Sequence, residues 1–162
     1  MIVTVGGASV GDHDLVKPAL AQLGLELAVE SVNVRPGKPT WFGRLADGRR
    51  VLGLPGNPSS ALVCAELFLH PLLRSMQGAD PALPMVRARA TAAFPANGSR
   101  EHWMRARIGF GADGALQAEA FADQDSSLVS VFASADALVR RPAGAPELAA
   151  GGLVEALLLE RA

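Results

Sequence analysis

The sequence of 162 residues predicts an α/β domain followed by a small all-β domain. A β-branched run opens the chain, and a glycine-containing loop separates it from an Ala/Leu-rich helical segment. A long apolar helical pattern follows later, and beyond a Pro- and Gly-containing linker the sequence changes to short β-type runs divided by turn signals. The predicted boundaries are 1–78 for the α/β domain, 79–84 for the linker and 85–162 for the β-domain.

The first domain is predicted to contain several short strands. The run at 2–5 is typical of a buried parallel strand, and segment 15–23, closed by Gly24, is typical of a helix. Segment 25–34 predicts one further strand. The runs at 40–45 and 50–54 flank Asp47-Gly48, a dipeptide that favours a tight hairpin.

A long helix is predicted to close the first domain. Asn57 and Pro58 have the capping chemistry of a helix start, and Gly78 marks the end of the pattern over 59–76. Pro71 predicts a kink within this helix. The opening strand needs sheet neighbours on both sides, and only one or two later segments can supply them. We therefore expect the chain to be the back part of a larger protein.

The second domain is predicted to be a small β-barrel or a sandwich, because short runs alternate with Asn-Gly, Asp-Gly and Gly-Gly turns. Segment 126–132 is expected to form a short helix between strands. The predicted strands are 85–93, 102–108, 115–120, 137–141 and 153–159.

Composition excludes several classes of function. A net charge of −1 offers no basic surface for non-specific nucleic-acid binding. The single cysteine, Cys64, excludes an intramolecular disulfide and multi-cysteine zinc sites, and fits a reducing cytoplasm. No apolar run approaches the ~20 residues of a membrane span. His13, His70 and His102 lack the spacing of metal ligands, so no zinc site is predicted.

The first glycine loop lies at the carboxyl end of a predicted strand and at the mouth of a helix, where open α/β sheets bind ligands. Glycines allow the backbone to approach a ligand, and two carboxylates suit a Mg²⁺ ion that bridges to phosphate. A tight turn capped by Asp12 or Asp14 explains the same residues equally well. The candidate residues are Gly6, Gly7, Ser9, Gly11, Asp12 and Asp14.

A basic loop follows at 35–39, where two prolines stiffen a turn that presents Arg35 and Lys38. Two cations on a rigid loop suit a tetrahedral oxyanion, although a solvated turn also accounts for them. The second glycine loop, 54–60, is similarly open to two interpretations, a helix start or a phosphate cradle.

The order of these motifs resembles the molybdopterin molybdenumtransferase family, the molybdenum insertases of molybdenum-cofactor biosynthesis that are related to the E domain of gephyrin. The resemblance is carried by GGASVGDHD at 6–14, RPGKP at 35–39 and GLPGNPSSA at 53–61. The segments 98–105, 124–127 and 135–138 are similar to the C-terminal β-domain of that family. The resemblance covers essentially the whole chain, but only the C-terminal portion of the family.

The resemblance implies a partial molybdopterin-binding-type three-layer α/β domain followed by a barrel-like β-domain. It implies insertion of molybdate into adenylylated molybdopterin with release of AMP. Asp12, Asp14 and Lys38 would be catalytic, with Asp14 as the Mg²⁺ ligand. The implied substrate-binding residues are Gly6, Gly7, Ser9 and Gly11 in the first glycine loop, Arg35, Lys38 and Pro39 in the basic loop, Gly56, Asn57 and Ser59 in the second glycine loop, and Arg100 and Ser126 in the β-domain.

The sequence departs from the family at Ser31, where a basic residue is frequent, and at Arg35, which replaces a frequent lysine. The family's N-terminal domains have no counterpart here. Three interpretations follow: an insertase that is active only with its missing portion or a partner, a binding module or scaffold without chemistry, and a disfavoured molybdopterin adenylyltransferase. Exposed strand edges and a mean hydropathy of +0.23 also predict a homodimer.

Overall fold

The computed structural model describes residues 1–7 and 15–159. Its first sheet has four strands, and β3 (Val34–Arg35) lies outside it. The sheet strands are β1 (Ile2–Val5), β2 (Glu26–Val29), β4 (Trp41–Arg44) and β5 (Arg50–Leu54), in the order β1-β5-β4-β2. β1 is parallel to β5. β4 is antiparallel to β5, as the Asp-Gly turn predicts, and is also antiparallel to β2.

Two helical layers cover this sheet. Helix α1 (Val16–Ala21) packs with Val16 and Leu20 on a cluster built around Trp41 and Val51. On the opposite face, helix α2 (Pro58–Cys64) packs Ala61 and Cys64 against β5. The predicted three-layer α/β arrangement is therefore confirmed.

The predicted long helix is present with a change of winding in its middle. α2 runs into a π-helical segment (Ala65–Leu69), which leads into α3 (His70–Met76). The wide turns come just before Pro71, whose missing N–H and bulky ring are incompatible with a regular α-helix. The buried face contains Val63, Cys64 and Leu67, whereas Leu62 is 39% exposed.

The second half of the chain forms a closed barrel, which decides between barrel and sandwich. Its five strands are β6 (Met85–Ala90), β7 (Glu101–Phe110), β8 (Leu116–Ala120), β9 (Ala137–Arg141) and β10 (Leu153–Leu158), with helix α4 (Val129–Ala133) before β9. The order β7-β8-β6-β10-β9 is closed by pairing of β9 with β7. Alanines dominate the buried core, because a narrow barrel leaves little space for side chains.

The prediction of one strand over 25–34 is wrong, because the segment divides between the two sheets. β2 pairs with β4, whereas β3 pairs in parallel with the first residues of β7. Asn33 ties the chain to the barrel: its carbonyl oxygen accepts from Glu101 N at 3.0 Å, and its Nδ2 donates to Ser99 O at 2.8 Å. These partners are more than sixty residues away in sequence, so no local pattern reveals the division.

The α/β region and the barrel share one buried cluster. Val34, Val63 and Leu67 pack from the α/β side. Trp103, Leu138 and Leu157 pack from the barrel side. This apolar contact fixes the relative position of β3, α2 and β7, which together carry the candidate site. In the described part of the chain, no helix has the length and apolar character needed to cross a membrane.

Candidate anion-binding site

The two glycine loops meet at one edge of the first sheet. β1 and β5 are parallel neighbours with Val5 opposite Leu54, so both strands end at the same level. Gly6 N donates to Leu54 O at 3.1 Å, and a Cβ on Gly56 would lie 3.3 Å from Gly6 Cα. The backbones of the two loops therefore pass in direct contact. Of the predicted residues in the first loop, Ser9, Gly11, Asp12 and Asp14 lie outside the described residues.

The second glycine loop leads directly into α2. Asn57 Oδ1 accepts a hydrogen bond from Ser60 N at 3.3 Å, which caps the helix as its sequence predicts. Ser59 is completely buried. A direct contact of Asn57 or Ser59 with substrate stays a prediction. In this structure the Asn57 side chain caps the helix, and Ser59 Oγ accepts a hydrogen bond from Arg105 Nη1.

Close packing against α2 shapes the basic loop. Gly37 has a φ of +120°, and a Cβ there would lie 2.1 Å from Cys64 Sγ, so no side chain fits. Thr40 Oγ1 donates to Gly37 O at 2.8 Å, and Val32 N donates to Lys38 O at 3.0 Å. The peptide bond before Pro36 is cis.

The loop thus buries its centre, at Pro36 and Gly37, and leaves Arg35 and Lys38 exposed. Pro39 is half-buried beside them.

Cys64 is a packing residue, as its place on an apolar helix predicts. Its side chain is fully buried, and Thr40 Oγ1 lies 3.2 Å from its sulfur. Burial raises the pKa of the thiol to about 11, so the nucleophilic thiolate is strongly disfavoured near neutral pH.

Pairing of β3 with β7 brings the basic loop to the barrel. Arg35 is opposite His102 in this parallel register. Burial, followed by the positive charges of Arg35, Arg105 and Arg100, lowers the pKa of His102 to about 4. The imidazole is therefore neutral near pH 7, among three guanidinium groups contributed by two different parts of the chain.

Arg105 is the buried member of this group. Its side chain has no solvent exposure. Its Nη1 donates to Ser59 Oγ at 3.4 Å, and its Nη2 donates to Asp125 O at 3.2 Å. Burial lowers the pKa of the guanidinium, whereas the charges of Asp123 and Asp125 raise it. The charge is thus retained in a position where desolvation opposes it.

Hydrogen bonds connect the segment around Ser126 to Arg105. Gln124 Oε1 accepts from Arg105 N at 2.9 Å, and Gln124 Nε2 donates to Arg105 O at 2.9 Å. The side-chain amide of Gln124 thus bonds both backbone groups of Arg105, as the backbone of a neighbouring strand would. Asp125 Oδ1 accepts from Ser127 N at 2.8 Å. Hydrogen bonds to Ser127, followed by the charge of Arg105, hold the pKa of Asp125 below its usual value. Ser126, half-buried, follows directly.

Among the described residues, no cation of this cluster forms a direct ion pair with a carboxylate, although the charges of Asp123 and Asp125 act on Arg105. The ion pairs there are Asp47–Arg49, Glu66–His70 and the pairs of Arg140 with Glu101 and Glu155. None involves the four cations of the site, Arg35, Lys38, Arg100 and Arg105. In residues 1–7 and 15–159 no group of three or more His, Cys, Asp or Glu side chains could hold a metal ion. The positive charge of Arg35, Lys38 and Arg100, which no direct ion pair neutralises there, suits a multivalent oxyanion.

The structure brings Arg35 and Arg100 together around His102, which the sequence suggests only through the resemblance. Sequence reasoning missed His102 and Arg105 as members of the site. The available signal is the alternation within 102–105, which puts Trp103 and Arg105 on the same face of one strand. An arginine on the buried face of a strand indicates a specific polar partner, and here the partners are Ser59 and Asp125.

Fold and site define a three-layer α/β ligand-binding domain joined to a β-barrel that adds cations to the site. Two family descriptions match the chain in this order: "Probable molybdopterin binding domain" over residues 1–75 and "MoeA C-terminal region (domain IV)" over residues 87–159. The chain belongs to the molybdopterin molybdenumtransferase family, of which it carries the C-terminal portion.

Curated relatives are similar over most of this chain. A molybdopterin molybdenumtransferase of Staphylococcus aureus is 30% identical, over 99% of this chain and 38% of its own length. The molybdenum cofactor synthesis protein cinnamon of Drosophila melanogaster is 34% identical, over 88% of this chain and 24% of its own length. The chain therefore spans well under half of each of these relatives.

A solved structure has the same fold. The molybdopterin biosynthesis MoeA protein of Pyrococcus horikoshii superposes with a TM-score of 0.77 at 28% identity. The match covers 100% of this chain and 38% of that protein. The predicted fold class, an α/β domain followed by a barrel-like β-domain, is confirmed.

Proposed function

We propose that this chain forms the anion-binding end of a molybdopterin molybdenumtransferase, which inserts molybdate into adenylylated molybdopterin with release of AMP. The observation that supports it best is the β3–β7 register, which sets Arg35 of the basic loop beside His102, with Arg100 and Arg105 near. Cofactor biosynthesis of this type is what the names of the relatives describe.

In this proposal, Lys38 and Arg35 hold molybdate from the exposed loop, and Pro39 lines the same position. Arg100 and Ser126 approach the anion from the barrel. The glycine loops, with Gly6, Gly7, Ser9, Gly11 and Gly56, accommodate the phosphate end of the pterin ligand, because glycine allows close approach of the backbone.

In this proposal, Asp12 and Asp14 are the residues that would place Mg²⁺, and Asp14 would be its ligand. When bound, the ion would neutralise phosphate charge. The rest of the proposal depends on the arginines and lysine of the described site, which attract and orient a dianion through charge-assisted hydrogen bonds.

We propose further that turnover needs the N-terminal domains that the family has, supplied on the same or a separate chain. We place the protein in the cytoplasm as a homodimer with 1–78 and 85–162 as its domains. The exposed Val3, Val5 and Leu27 leave apolar surface at the first sheet for such contacts. The alternative is a molybdopterin-binding module or scaffold without chemistry.

The decisive experiment is calorimetric titration of molybdate, with tungstate as a close mimic, into the wild type and Lys38→Ala. Loss of one charge-assisted contact typically costs ~1.5–3 kcal/mol, so binding should weaken roughly ten- to a hundredfold. Lys38 is exposed, so the free energy of unfolding should change by less than ~0.5 kcal/mol. Equal affinity in both proteins would contradict the anion site.

A second measurement separates the insertase from the module. AMP release from adenylylated molybdopterin should be slow or undetectable for this chain alone, and should appear when a polypeptide with the N-terminal domains is added. Anion binding without AMP release in the mixture would favour the module.

A further inference from the structure

Arg105 connects two segments that are distant in sequence. Its Nη1 contacts Ser59 at the start of α2, and its Nη2 contacts the carbonyl oxygen of Asp125 in the barrel. Ser59 belongs to the second glycine loop, and Asp125 directly precedes Ser126. One buried guanidinium therefore holds a segment of the α/β region and a segment of the barrel at the same place.

The backbone of Arg105 is held in the barrel by hydrogen bonds. Arg105 O accepts from Phe121 N at 3.0 Å and from Gln124 Nε2 at 2.9 Å, while Arg105 N donates to Gln124 Oε1. Gln124 Nε2 also donates to Phe121 O at 2.8 Å. Strand and loop thus form one rigid unit, and movement of the Ser126 segment relative to α2 requires breaking contacts of the Arg105 side chain.

Only an arginine can make this connection. The planar fork presents separate donors to two acceptors in different directions, whereas a lysine ammonium is a point charge on a flexible stem. Both direct acceptors are uncharged, a hydroxyl and a carbonyl oxygen, so the guanidinium forms no direct ion pair here, although the charges of Asp123 and Asp125 act on it.

We propose that Arg105 is a positioning residue, which aligns the second glycine loop with the Ser126 segment so that the two halves of the anion site face one ligand. The identity of the ligand rests on the proposed function, whereas the clamp itself, defined as Ser59–Arg105–Asp125, does not. Binding of an oxyanion therefore depends on Arg105 through Ser126.

Hydrogen exchange measured by mass spectrometry on the full chain tests the clamp without a ligand. In Arg105→Met, exchange should accelerate roughly tenfold in both the peptide covering 57–64 and the peptide covering 122–128. Arg105→Lys should behave nearly like Arg105→Met, because the fork is lost although the charge remains.

Arg141→Met is the matched control. Arg141 is another buried arginine of the barrel, 7% exposed, and it donates to the carbonyl oxygens of Pro95 and Pro146. Its replacement should leave exchange in 57–64 unchanged. If Arg105→Met fails to fold, Ser59→Ala removes only the acceptor on α2 and should accelerate exchange in 122–128.

A double-mutant cycle with molybdate then separates positioning from general destabilisation. Ser126→Ala should weaken molybdate binding about tenfold in the wild type, and hardly at all when Arg105 is already methionine. Additive losses would overturn the positioning role. Acceleration in one peptide only, or uniformly along the chain, would overturn the clamp. A wild type that binds no molybdate would refute the anion site of the proposed function while the exchange result still decides the clamp.

Discussion

The basic loop and the first residues of β7 contribute positive charge to the same site by opposite means. Arg35 and Lys38 project into solvent from a turn whose centre is packed against α2. On β7, Arg105 is completely buried and His102 is half-buried with its pKa lowered to about 4. The loop therefore supplies cations that can reach a ligand, while β7 supplies groups whose protonation and position depend on the surrounding packing.

The difference shows which parts of a site can be recognised in a sequence. Exposed cations on a stiff turn have a local signature, because proline, glycine and the charges stand within five residues. A buried arginine has no such local signature, because its role depends on hydrogen-bond partners that only the fold brings close to it. Three predictions, from the largest expected effect to the smallest, test this contrast.

The packing of the loop centre should be the most sensitive feature. Gly37→Ala combines a φ of +120° with a Cβ placed 2.1 Å from Cys64 Sγ, so we expect a loss of about 3 kcal/mol or more in the free energy of unfolding. Gly48→Ala is the control, since its φ is +85° but nothing lies within 4 Å of the new Cβ, and about 1–2 kcal/mol is expected.

Denaturant titration of four proteins checks the cause. On a Cys64→Ala background the steric collision is gone, so adding Gly37→Ala should cost clearly less than it does in the wild type, and the remaining cost is the strain of the φ of +120°. If the cost is the same with and without the sulfur, packing against Cys64 is not what shapes the loop.

The chain's regular elements were predictable where the signal is local. The Asp47-Gly48 hairpin, the helix start at Asn57 and the change in winding before Pro71 all follow from neighbouring residues. The division of 25–34 between two sheets was not predictable, because Asn33 is held by Ser99 and Glu101 across the fold. The same long-range contact, through the β3–β7 pair, sets His102 beside Arg35.

Acid should reveal the contribution of His102. Its folded pKa of about 4 lies below the ordinary 6.5, so the unfolded chain takes up the proton first as the pH falls. Stability is complete above pH 6.5 and declines between pH 6.5 and 4, by up to about 3 kcal/mol at about 1.4 kcal/mol per pH unit.

Unfolding free energies of the wild type and His102→Gln at pH 7, 6 and 5 measure this effect. Most carboxylates titrate below this range, so the variant should lose about 2 kcal/mol less than the wild type between pH 7 and pH 5. Parallel pH profiles for the two proteins would mean that His102 does not titrate differently on folding.

The smallest effect is expected for Arg35→Lys, where the charge survives and only the forked geometry is lost. Molybdate affinity should fall by roughly three- to tenfold, against a larger loss for Arg35→Gln. Arg44→Lys, also exposed but on β4, should leave the affinity unchanged.

Ionic strength then distinguishes charge from geometry at this exposed position. Screening weakens the Coulomb attraction of an exposed group, so the ratio of affinities between wild type and Arg35→Gln should shrink as salt rises from about 0.05 to 0.5 M. The ratio between wild type and Arg35→Lys compares two proteins of equal charge and should stay constant. If that second ratio also shrinks with salt, Arg35 acts on the anion through its charge distribution alone. The hydrogen-bonding fork would then matter only for Arg105, where two acceptors are already in place.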